Sequence, residues 1–453
     1  MSDHTEQRRT EFLTGFGGGQ GATCYSNSAQ NSKDIKQVLS HVLGSKEQLS
    51  LRGAGQSYGD SATLAEQQLL YFLGSDIEWT SENSAWVDAG CNLRKLCEAC
   101  LLKGLWPKVV TGTSRPTIGG LVAANAHGKN AFRVGTFGDS ILAIEMILAS
   151  GELIEVEPND ELFWAICGSM GLLGIITKVH LKFAEAAAGS VIVEPVILPQ
   201  TSDCFRFFAE SMDHDYAVAW LDMANSDRIR GLGHRAVYSD QSRSPEITFA
   251  EPSQFKSKIA PKLKFLISKT GIGLLNKLKY TSSIKKSGTK HTESLPNFNF
   301  LLDAIPGWEK IYAPCGMVQI QVFIPEANSQ NTFDEIHHIM QEQQIFTNLA
   351  VMKRHFESPS LLNPGLNGFS LAMDFLAQRE NPNWVRMVEE IHETALINGG
   401  RFYLAKDLLL NPETWKSSLP EGNLERFRAF KKSLDPNGLF SSDQAKRLKI
   451  FSD

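Results

Sequence analysis

The stretch Leu51–Asp60, LRGAGQSYGD, contains two glycines whose spacing is suited to binding a phosphate. Gly53 and Gly55 follow a short apolar segment, as the first two glycines do in the G-x-G-x-x-G fingerprint of dinucleotide-binding folds. Tyr58, however, stands in the third glycine position, and the residues around it favour a turn rather than an amphipathic helix. No helix N-terminus would then face the phosphate, so the sequence argues against a simple Rossmann site.

A second glycine-rich segment covers residues 109–139. It contains six glycines in 31 residues and lies between two apolar stretches. Because glycine lets the backbone come close to a flat or phosphorylated ligand, this segment predicts a ligand-binding loop.

Alternating helices and strands are predicted around these two segments. Apolar residues recur with helical spacing in Ser32–Leu43 and Leu93–Leu101, and short apolar runs between them indicate strands. This alternation is typical of an α/β domain, and the pattern loosens near 184–199, where we expect a domain boundary. Beyond it, clear strands at Met317–Pro325 and Phe369–Phe375, with helices at Thr332–Gln343 and Trp384–Asn398, predict an antiparallel sheet covered by helices.

Composition excludes several classes of protein. A chain of 453 residues with 42% hydrophobic and 21% charged residues is typical of a soluble protein with two or more domains. The charged N-terminus and the lack of a run of about 18 apolar residues argue against a signal peptide or a spanning helix. The seven cysteines are scattered, and Cys91, Cys97 and Cys100 lack zinc-site spacing, so we expect reduced thiols and no metal.

Motifs along nearly the whole chain match, in order, those of one known family. Four resemble the FAD-binding oxidoreductases of the vanillyl-alcohol oxidase type, which carry a PCMH-type FAD domain: RGAGQSYGD, TGTSRPTIGGLVAANAHGKN, ELFWAICGSMGLLGIITKV and LDPNGLF. Four shorter motifs resemble the oxidase subunits of epimerases for polyprenyl-phosphate-linked ribose: LTGFG (Leu13–Gly17), HGKN, QIQ and YLAKD. A single glycine motif is weak evidence, whereas the joint occurrence and order of all of them are specific.

The resemblance implies a two-domain α+β flavoprotein. An α/β FAD-binding domain would cover residues 1–185, and a substrate domain with an antiparallel sheet and covering helices would cover 186–400. The C-terminal segment, 401–453, would return to the FAD-binding domain.

The resemblance also implies where FAD lies. In the family, the first loop surrounds the pyrophosphate with successive backbone N–H groups, an anion-binding nest that requires no helix N-terminus. Carried over to this sequence, the cofactor-binding residues are Arg52, Gly53, Ala54, Gly55, Gln56, Ser57, Tyr58, Gly59, Asp60, Ser61, Gly112, Thr117, Ile118, Gly119, Gly120, His127, Gly128, Lys129, Asn130, Ile176 and Tyr403. Many relatives carry at the place of Gln56 a histidine bonded to the flavin. Glutamine has no nucleophilic nitrogen for that bond, so we expect non-covalent FAD.

Three residues match positions that take part in the chemistry of the family. Oxidising an alcohol needs a hydride acceptor, a group that takes the hydroxyl proton, and positive charge beside the reduced flavin. Lys406 matches the lysine between flavin and substrate, either as the base or as an electrostatic group, and His127 and Tyr58 match residues beside the ring. Without the motifs, these would be read as a solvated lysine, a structural histidine and a packing tyrosine.

Five further residues are candidates for substrate binding. Gln319 and Gln321 share one face of a predicted strand, where they suit sugar hydroxyls unless that face is solvent-exposed. Lys353 matches a pocket lysine that suits a substrate phosphate, with a surface ion pair as the alternative. Ser370 and Ala372 stand where the nearest relatives carry asparagine and cysteine, which weakens transfer of the exact substrate more than transfer of the reaction.

The leading hypothesis is FAD-dependent oxidation of a secondary sugar hydroxyl, the 2′-OH of a polyprenyl-phosphoryl-ribose. The keto product would be epimerised to the arabinose form for cell-envelope polysaccharide synthesis by a separate NAD(P)H-dependent reductase, and a quinone or oxygen would accept the electrons. One alternative is a soluble aldonolactone or alditol oxidase, although the covalent-flavin histidine and C-terminal histidine-tryptophan motif common there are absent. Another is a catalytically silent flavin-binding subunit, against which the retention of Lys406 argues.

Residues 255–290 form a basic segment interleaved with apolar side chains. Ten lysines and no acidic residue lie between Lys256 and Lys290, while the chain as a whole has a formal charge of −5. This local charge does not indicate a nucleic-acid-binding protein. The basic segment fits either a solvated surface loop or peripheral contact with an anionic membrane. On the second reading, we expect a cytoplasmic protein with peripheral contact at the inner membrane surface.

Overall fold

The computed structural model describes residues 9–224, 228–240, 249, 268–304 and 307–451, and three β-sheets organise them. The strands are β1 (Arg9–Thr14), β2 (Gly21–Ala29), β3 (Leu49–Leu51), β4 (Gln68–Phe72), β5 (Ile77–Trp79), β6 (Ser84–Asp88), β7 (Leu105–Pro107), β8 (Ile141–Ile147), β9 (Leu153–Val156), β10 (Ile175–Glu185), β11 (Ser190–Leu198), β12 (Tyr216–Asp222), β13 (Arg230–Tyr238), β14 (His291–Ser294), β15 (Met317–Pro325), β16 (Leu349–His355), β17 (Gly368–Leu376) and β18 (Arg401–Phe402).

The helices connect and cover these sheets. They are α1 (Ser32–Ser45), α2 (Leu93–Leu102), α3 (Ile118–Ala123), α4 (Ala131–Val134), α5 (Glu161–Ile166), α6 (Thr201–Ala209), α7 (Lys269–Ile284), α8 (Leu295–Asn299), α9 (Glu326–Glu342), α10 (Pro382–Ile397), α11 (Pro412–Ser417), α12 (Asn423–Leu434) and α13 (Asp443–Arg447).

The first sheet has the order β1-β2-β4-β3, and β4 runs parallel to both β2 and β3. Helix α1 connects β2 to β3. It forms because the Asn31 side chain caps its first turn and because Ile35, Leu39 and Val42 are buried. Strand β3 ends at Leu51, directly before the first glycine loop. This β-α-β unit therefore holds the start of that loop at a sheet edge.

The second sheet positions the second glycine-rich segment. Its order is β5-β6-β10-β8-β9, with β7 paired to β10, and its pairs are antiparallel. The prediction that 109–139 is loop throughout was wrong, because α3 and α4 interrupt it. Thr117 caps α3, and Ile118, Leu121 and Val122 are buried, so local packing forms a helix despite the glycines.

The third sheet is antiparallel, with the order β14-β11-β13-β12-β16-β17-β15-β18. Helices α9 and α10 pack on one face and bury Phe333, Ile336, Met387 and Ile391, among others. This confirms the expected antiparallel sheet with covering helices. Strand β18 pairs with β15, and the chain then enters the short 3₁₀ turn Leu404–Lys406, so the opposite face of this sheet receives the YLAKD motif.

The C-terminal segment packs against the first two sheets. Lys431 of α12 is buried, and its ammonium group donates to the carbonyl oxygens of Leu172 at 2.8 Å and Phe440 at 2.6 Å and to Asp435 at 2.6 Å. The Leu49 N–H donates to the Leu439 carbonyl at 2.8 Å. We propose domain limits of 1–185 and 186–400, with 401–453 returning to the first domain, and these contacts support that division.

Candidate active site

The first glycine loop lies between two other chain segments. The Phe16 N–H donates to the Ser57 carbonyl at 2.7 Å, and the Tyr58 N–H donates to the Ala405 carbonyl at 2.9 Å. A Cβ atom at Gly59 would overlap the carbonyl oxygen of Asp407. The loop therefore depends on glycine for its close approach to the YLAKD turn, and it brings Tyr58 beside Lys406.

The two glycine-rich loops contact each other. A Cβ atom at Gly53 would overlap the Thr117 hydroxyl, and Gly55 has a φ of +64°, a conformation that favours glycine. Gly53 and Ala54 are exposed, which leaves their backbone open to a ligand. This narrow and accessible junction of backbone segments fits a pyrophosphate cofactor.

Several predicted cofactor residues already make contacts within the protein. The Ile118 N–H donates to Cys91 and the Gly119 N–H to Ala89, each at 2.8 Å. The Asp60 carboxylate is bound by the guanidinium of Arg447 at 2.8 and 2.9 Å. The Ile118 side chain is buried in the core. These residues therefore shape the loops, and their backbone N–H groups and carboxylate are engaged by protein partners.

The other predicted cofactor residues occupy several environments. Arg52 donates to the carbonyls of Ala62 at 3.1 Å and Thr14 at 2.8 Å, which fixes the base of the first loop. Ile176 is buried in β10 opposite Met146. The remaining members are exposed Gly120, half-buried Gly112, Ser57 and Lys129, and buried Ser61, Gly128, Asn130 and Tyr403.

The HGKN motif enters the interior between the loops and the third sheet. Asn130 donates to the Lys108 carbonyl at 2.7 Å, but its buried Oδ1 has no hydrogen-bond partner among the described residues. Lys129 contacts the Phe298 carbonyl, and burial lowers the pKa of its ammonium group to about 7. The unpaired acceptor of Asn130 is suited to a ligand that brings a donor, and the desolvated cation of Lys129 is suited to negative charge.

Strands β15, β16 and β17 present polar side chains on one face. Gln319 is paired across the sheet with Asp374, Gln321 with Ala372, and Lys353 with Ser370, and directly paired residues share a face. Gln319, Gln321 and Ser370 are buried, so the alternative of solvent exposure does not hold for the two glutamines.

His127 is the point where this sheet face meets the HGKN loop. Its Nε2 lies 3.2 Å from the Gln321 amide nitrogen, and its Nδ1 lies 3.5 Å from the Lys353 ammonium group. Its ring centroid is 5.3 Å from that of Tyr403. Burial, and next the charge of Lys353, hold the pKa of His127 well below its usual value, so the ring is neutral near pH 7.

Lys353 belongs to this interior cluster. Among the described residues it forms no ion pair with a carboxylate, so the predicted alternative of a surface ion pair is wrong in this structure. Burial lowers the pKa of its ammonium group to about 8. A desolvated cation at this position is suited to an anionic ligand.

Lys406 and Tyr58 form the opposite side of the cluster. The Lys406 Nζ lies 3.8 Å from the centroid of the Tyr58 ring. Burial lowers the pKa of Lys406 to about 7, although Asp374 raises it in part. Burial also raises the pKa of Tyr58 well above its usual value, so the phenol is protonated. The structure therefore brings together Lys406, Tyr58, His127, both glutamines, Lys353 and Ser370.

Sequence reasoning missed Asp374 and His355. Asp374 accepts a hydrogen bond from Gln319, and His355 contacts the Ser370 hydroxyl at 2.8 Å. The signal for Asp374 was present in FSLAMDF, because it follows Ser370 and Ala372 at intervals of two and must share their face. His355 is likewise two residues after Lys353, on the same face of β16.

Comparison with known proteins gives the class. Residues 28–157 match the family model for an FAD binding domain. Together with the α+β fold and the two glycine-rich loops, this makes the protein an FAD-dependent oxidoreductase, and its fold fits that of a two-domain flavoprotein of the vanillyl-alcohol oxidase type.

Individual relatives narrow the comparison. The chain is 28% identical over 425 residues to the decaprenylphosphoryl-β-D-ribose oxidase of Mycolicibacterium smegmatis, covering 88% of each chain. It is 25% identical over 380 residues to an uncharacterised protein of Streptomyces coelicolor, covering 79% of this chain and 100% of that one. A D-lactate dehydrogenase of Archaeoglobus fulgidus is 26% identical over 191 residues, 40% of this chain and 43% of the relative. FAD is therefore the cofactor.

We expect that acid or heat releases all the flavin from the purified yellow protein, because Gln56 cannot bond to it covalently. The Gln56 amide donates to the Ala54 carbonyl of its own loop at 3.0 Å. The measurement is flavin fluorescence of the denatured polypeptide on a gel, with a covalent flavoprotein as positive control. Fluorescence that stays with the polypeptide would contradict the prediction.

Proposed function

We propose that this protein oxidises a secondary hydroxyl of a lipid-linked pentose, the 2′-OH of a polyprenyl-phosphoryl-ribose, to a keto group. The main observation in support is the buried polar cluster between the glycine-rich loops and the third sheet. In it, Gln321 and Lys353 each contact His127 within 3.5 Å. The similarity to a decaprenylphosphoryl-β-D-ribose oxidase over 88% of the chain supports the choice of substrate.

The proposed mechanism divides the reaction between the cofactor and the side chains. Conversion of a secondary alcohol to a ketone removes an electron pair with the carbon-bound hydrogen, and it also removes the hydroxyl proton. When bound, FAD accepts the electron pair and the carbon-bound hydrogen. The remaining task of the protein is to place the hydroxyl, accept its proton and balance the negative charge that develops.

Lys406 and His127 are suited to these tasks. With a pKa of about 7, Lys406 populates both protonation states near neutral pH, so it can accept the hydroxyl proton or supply positive charge. His127 is neutral, and the Gln321 amide and the Lys353 ammonium group lie beside its two ring nitrogens. We propose that Lys406 and His127 are catalytic, that Tyr58 supports Lys406, and that Gln319, Gln321, Lys353 and Ser370, with Ala372, contact the sugar phosphate.

A second candidate is oxidation of a free aldonolactone or alditol. It is favoured by Ser370 and Ala372, which differ from the asparagine and cysteine that the resemblance implies at these positions. In either case the product is a carbonyl compound, and re-oxidation of the cofactor requires a quinone or oxygen. For the lipid-linked sugar, we propose a separate NAD(P)H-dependent reductase that completes the epimerisation.

Anaerobic mixing with candidate sugars tests the proposal. Polyprenyl-phosphoryl-ribose should bleach the flavin absorbance in a single turnover, whereas polyprenyl phosphate without the sugar, the matched control, should not. Bleaching by free alditols alone would favour the second candidate. No bleaching by any sugar would contradict both.

We further propose peripheral contact with an anionic membrane through part of the basic segment. Residues 255–267 lie outside the described residues, whereas 268–290 contain α7. No described helix is long and apolar enough to cross a membrane. Helix α7 exposes Leu274, Leu275 and Leu278, which are 40–58% exposed, and the lysines at 277, 285, 286 and 290 are exposed around them.

The inner face of α7 is fixed to the third sheet. Asn276 donates to the buried Asp222 carboxylate at 2.8 Å, and the Arg230 guanidinium lies 4.5 Å from the Tyr280 ring centroid. An amphipathic helix held in this way would present its leucines and lysines outward to lipid headgroups. A lipid-linked substrate would then meet the protein at the membrane surface.

A further inference from the structure

Asp374 is a buried carboxylate on the same sheet face as the substrate-binding candidates. It is 1% exposed, and its Oδ1 accepts a hydrogen bond from its cross-strand neighbour Gln319. Its backbone carbonyl accepts from the Thr347 hydroxyl at 2.9 Å and from the Asn348 N–H at 2.8 Å. Both the backbone and one carboxylate oxygen are therefore held in place.

The second carboxylate oxygen is the unusual feature. Asp374 Oδ2 is buried and has no hydrogen-bond partner among the described residues. An unpaired carboxylate oxygen in the interior is costly unless a positive charge lies nearby. Side-chain contacts connect this carboxylate to a cation: Gln319 hydrogen-bonds both Asp374 and Tyr58, and the Lys406 ammonium group lies 3.8 Å from the centroid of the Tyr58 ring.

The two groups affect each other in opposite directions. Burial raises the pKa of Asp374 to about 6, and Lys406 opposes that shift. Burial lowers the pKa of Lys406 to about 7, and Asp374 opposes that shift, while Lys353 adds to it. The charged and titratable groups that face the pair from the surrounding elements are Tyr58, His127, Tyr312 and Lys353.

We propose that Asp374 is a positioning residue for Lys406, which favours the protonated form of that lysine beside the candidate substrate-binding side chains. This role rests on the proposed function only in the identity of the substrate. The mutual effect of the two charges is a property of the protein itself. The carboxylate distinguishes the two lysines of the cluster. Asp374 affects Lys406, whereas Lys353 contacts His127 and has no such carboxylate among the described residues.

Asp374→Asn tests the proposal with little change in shape. Asparagine keeps an oxygen that can accept the Gln319 hydrogen bond but removes the charge. Because Asp374 raises the pKa of Lys406, removal of its charge should lower the pKa of that lysine. The readout is ¹³C NMR of dimethylated lysines in the FAD-loaded protein without sugar, with the Lys406 resonance identified by its absence in Lys406→Arg.

Asp374→Glu is the matched control because it keeps the charge. A downward shift in Asp374→Asn but not in Asp374→Glu supports the proposal, and equal shifts or no shift in either variant overturn it. If Asp374→Asn does not fold, Gln319→Leu replaces it. Loss of the Gln319 hydrogen bond raises the pKa of Asp374, so the pKa of Lys406 should again fall, and an unchanged value overturns the proposal.

The pH profile of flavin reduction gives a second readout. In Asp374→Asn, the limb of the profile that belongs to Lys406 should move to lower pH by the same amount as the NMR titration. A rate that falls as pH rises through this limb means that protonated Lys406 is required, which supports the proposal. A rate that rises means that neutral Lys406 is the base, which overturns the proposed role of Asp374. The NMR titration needs no substrate, so failure of the sugar assay and failure of this proposal remain distinguishable.

Discussion

The Lys406→Ala variant should retain FAD, and its rate of flavin reduction by substrate should be about a hundredfold to a thousandfold lower than that of the wild type. Removal of one electrostatic group in an active site costs about 2.7 to 4 kcal/mol of transition-state stabilisation. Here the substitution also leaves Asp374 without its neighbouring cation, so the pKa of that carboxyl should rise further. Stopped-flow measurement of flavin bleaching under anaerobic conditions gives the rate.

The matched control for this variant is Lys178→Ala. Lys178 is an exposed lysine of β10 that lies 4.0 Å from Glu78 at the surface of the second sheet, and its loss should leave the rate unchanged. Equal FAD content in both variants shows that the fold is retained. If Lys406→Ala stays within a few-fold of the wild-type rate, Lys406 has no part in the mechanism.

Changing Lys277, Lys285, Lys286 and Lys290 together to glutamine should weaken binding to anionic liposomes about tenfold or more. A lysine near an anionic surface contributes about 1 kcal/mol to the free energy of membrane binding. A loss of about 1.4 kcal/mol lowers the affinity tenfold, so four lysines give this change even if each contributes well under half of that value. The variant should still bind FAD, because none of these residues contacts the glycine-rich loops. Co-sedimentation with vesicles of anionic and neutral lipid at increasing salt measures the effect.

A second quadruple variant distinguishes the effect of charge near α7 on liposome binding from the effect of the net charge of the protein. Lys33, Lys36, Lys46 and Lys432 are exposed lysines of the FAD-binding region, and their change to glutamine alters the net charge equally. That control should sediment like the wild type at low salt. Equal sedimentation of all three proteins would mean that α7 and its neighbours are a solvated surface.

Local sequence patterns predicted much of the third sheet. The alternation in MVQIQVFIP predicted β15 with the bounds that the structure has, because a nine-residue buried strand is bounded by a glycine and a proline. Helices α9 and α10 were predicted from apolar spacing, although α9 begins six residues earlier than expected, at Glu326. Strands β1 and β2 were not predicted, because their polar and half-exposed residues give only a weak periodic signal.

The class of cofactor was also contained in the sequence. The order of the glycine-rich motifs identified an FAD protein, because close approach of a backbone to a pyrophosphate needs glycine at particular positions and leaves a local signature. The same reasoning treated Ile118 and Gly119 as ligands of the cofactor. In the fold, their N–H groups donate hydrogen bonds to the carbonyl oxygens of Cys91 and Ala89. No local sequence pattern indicates which backbone groups are already paired in this way.

By itself, then, the sequence determined the elements whose signals are local: strand alternation, helix spacing, caps, and the glycines on which the loops depend. Only the tertiary structure decided that Lys406, Asp374 and His127 belong to one buried cluster, because these residues are far apart in the chain and meet through the register of β15, β16 and β17 and the return of β18. The pKa values of the two lysines followed from the same assembly, since burial and neighbouring charge, rather than residue type, shift them.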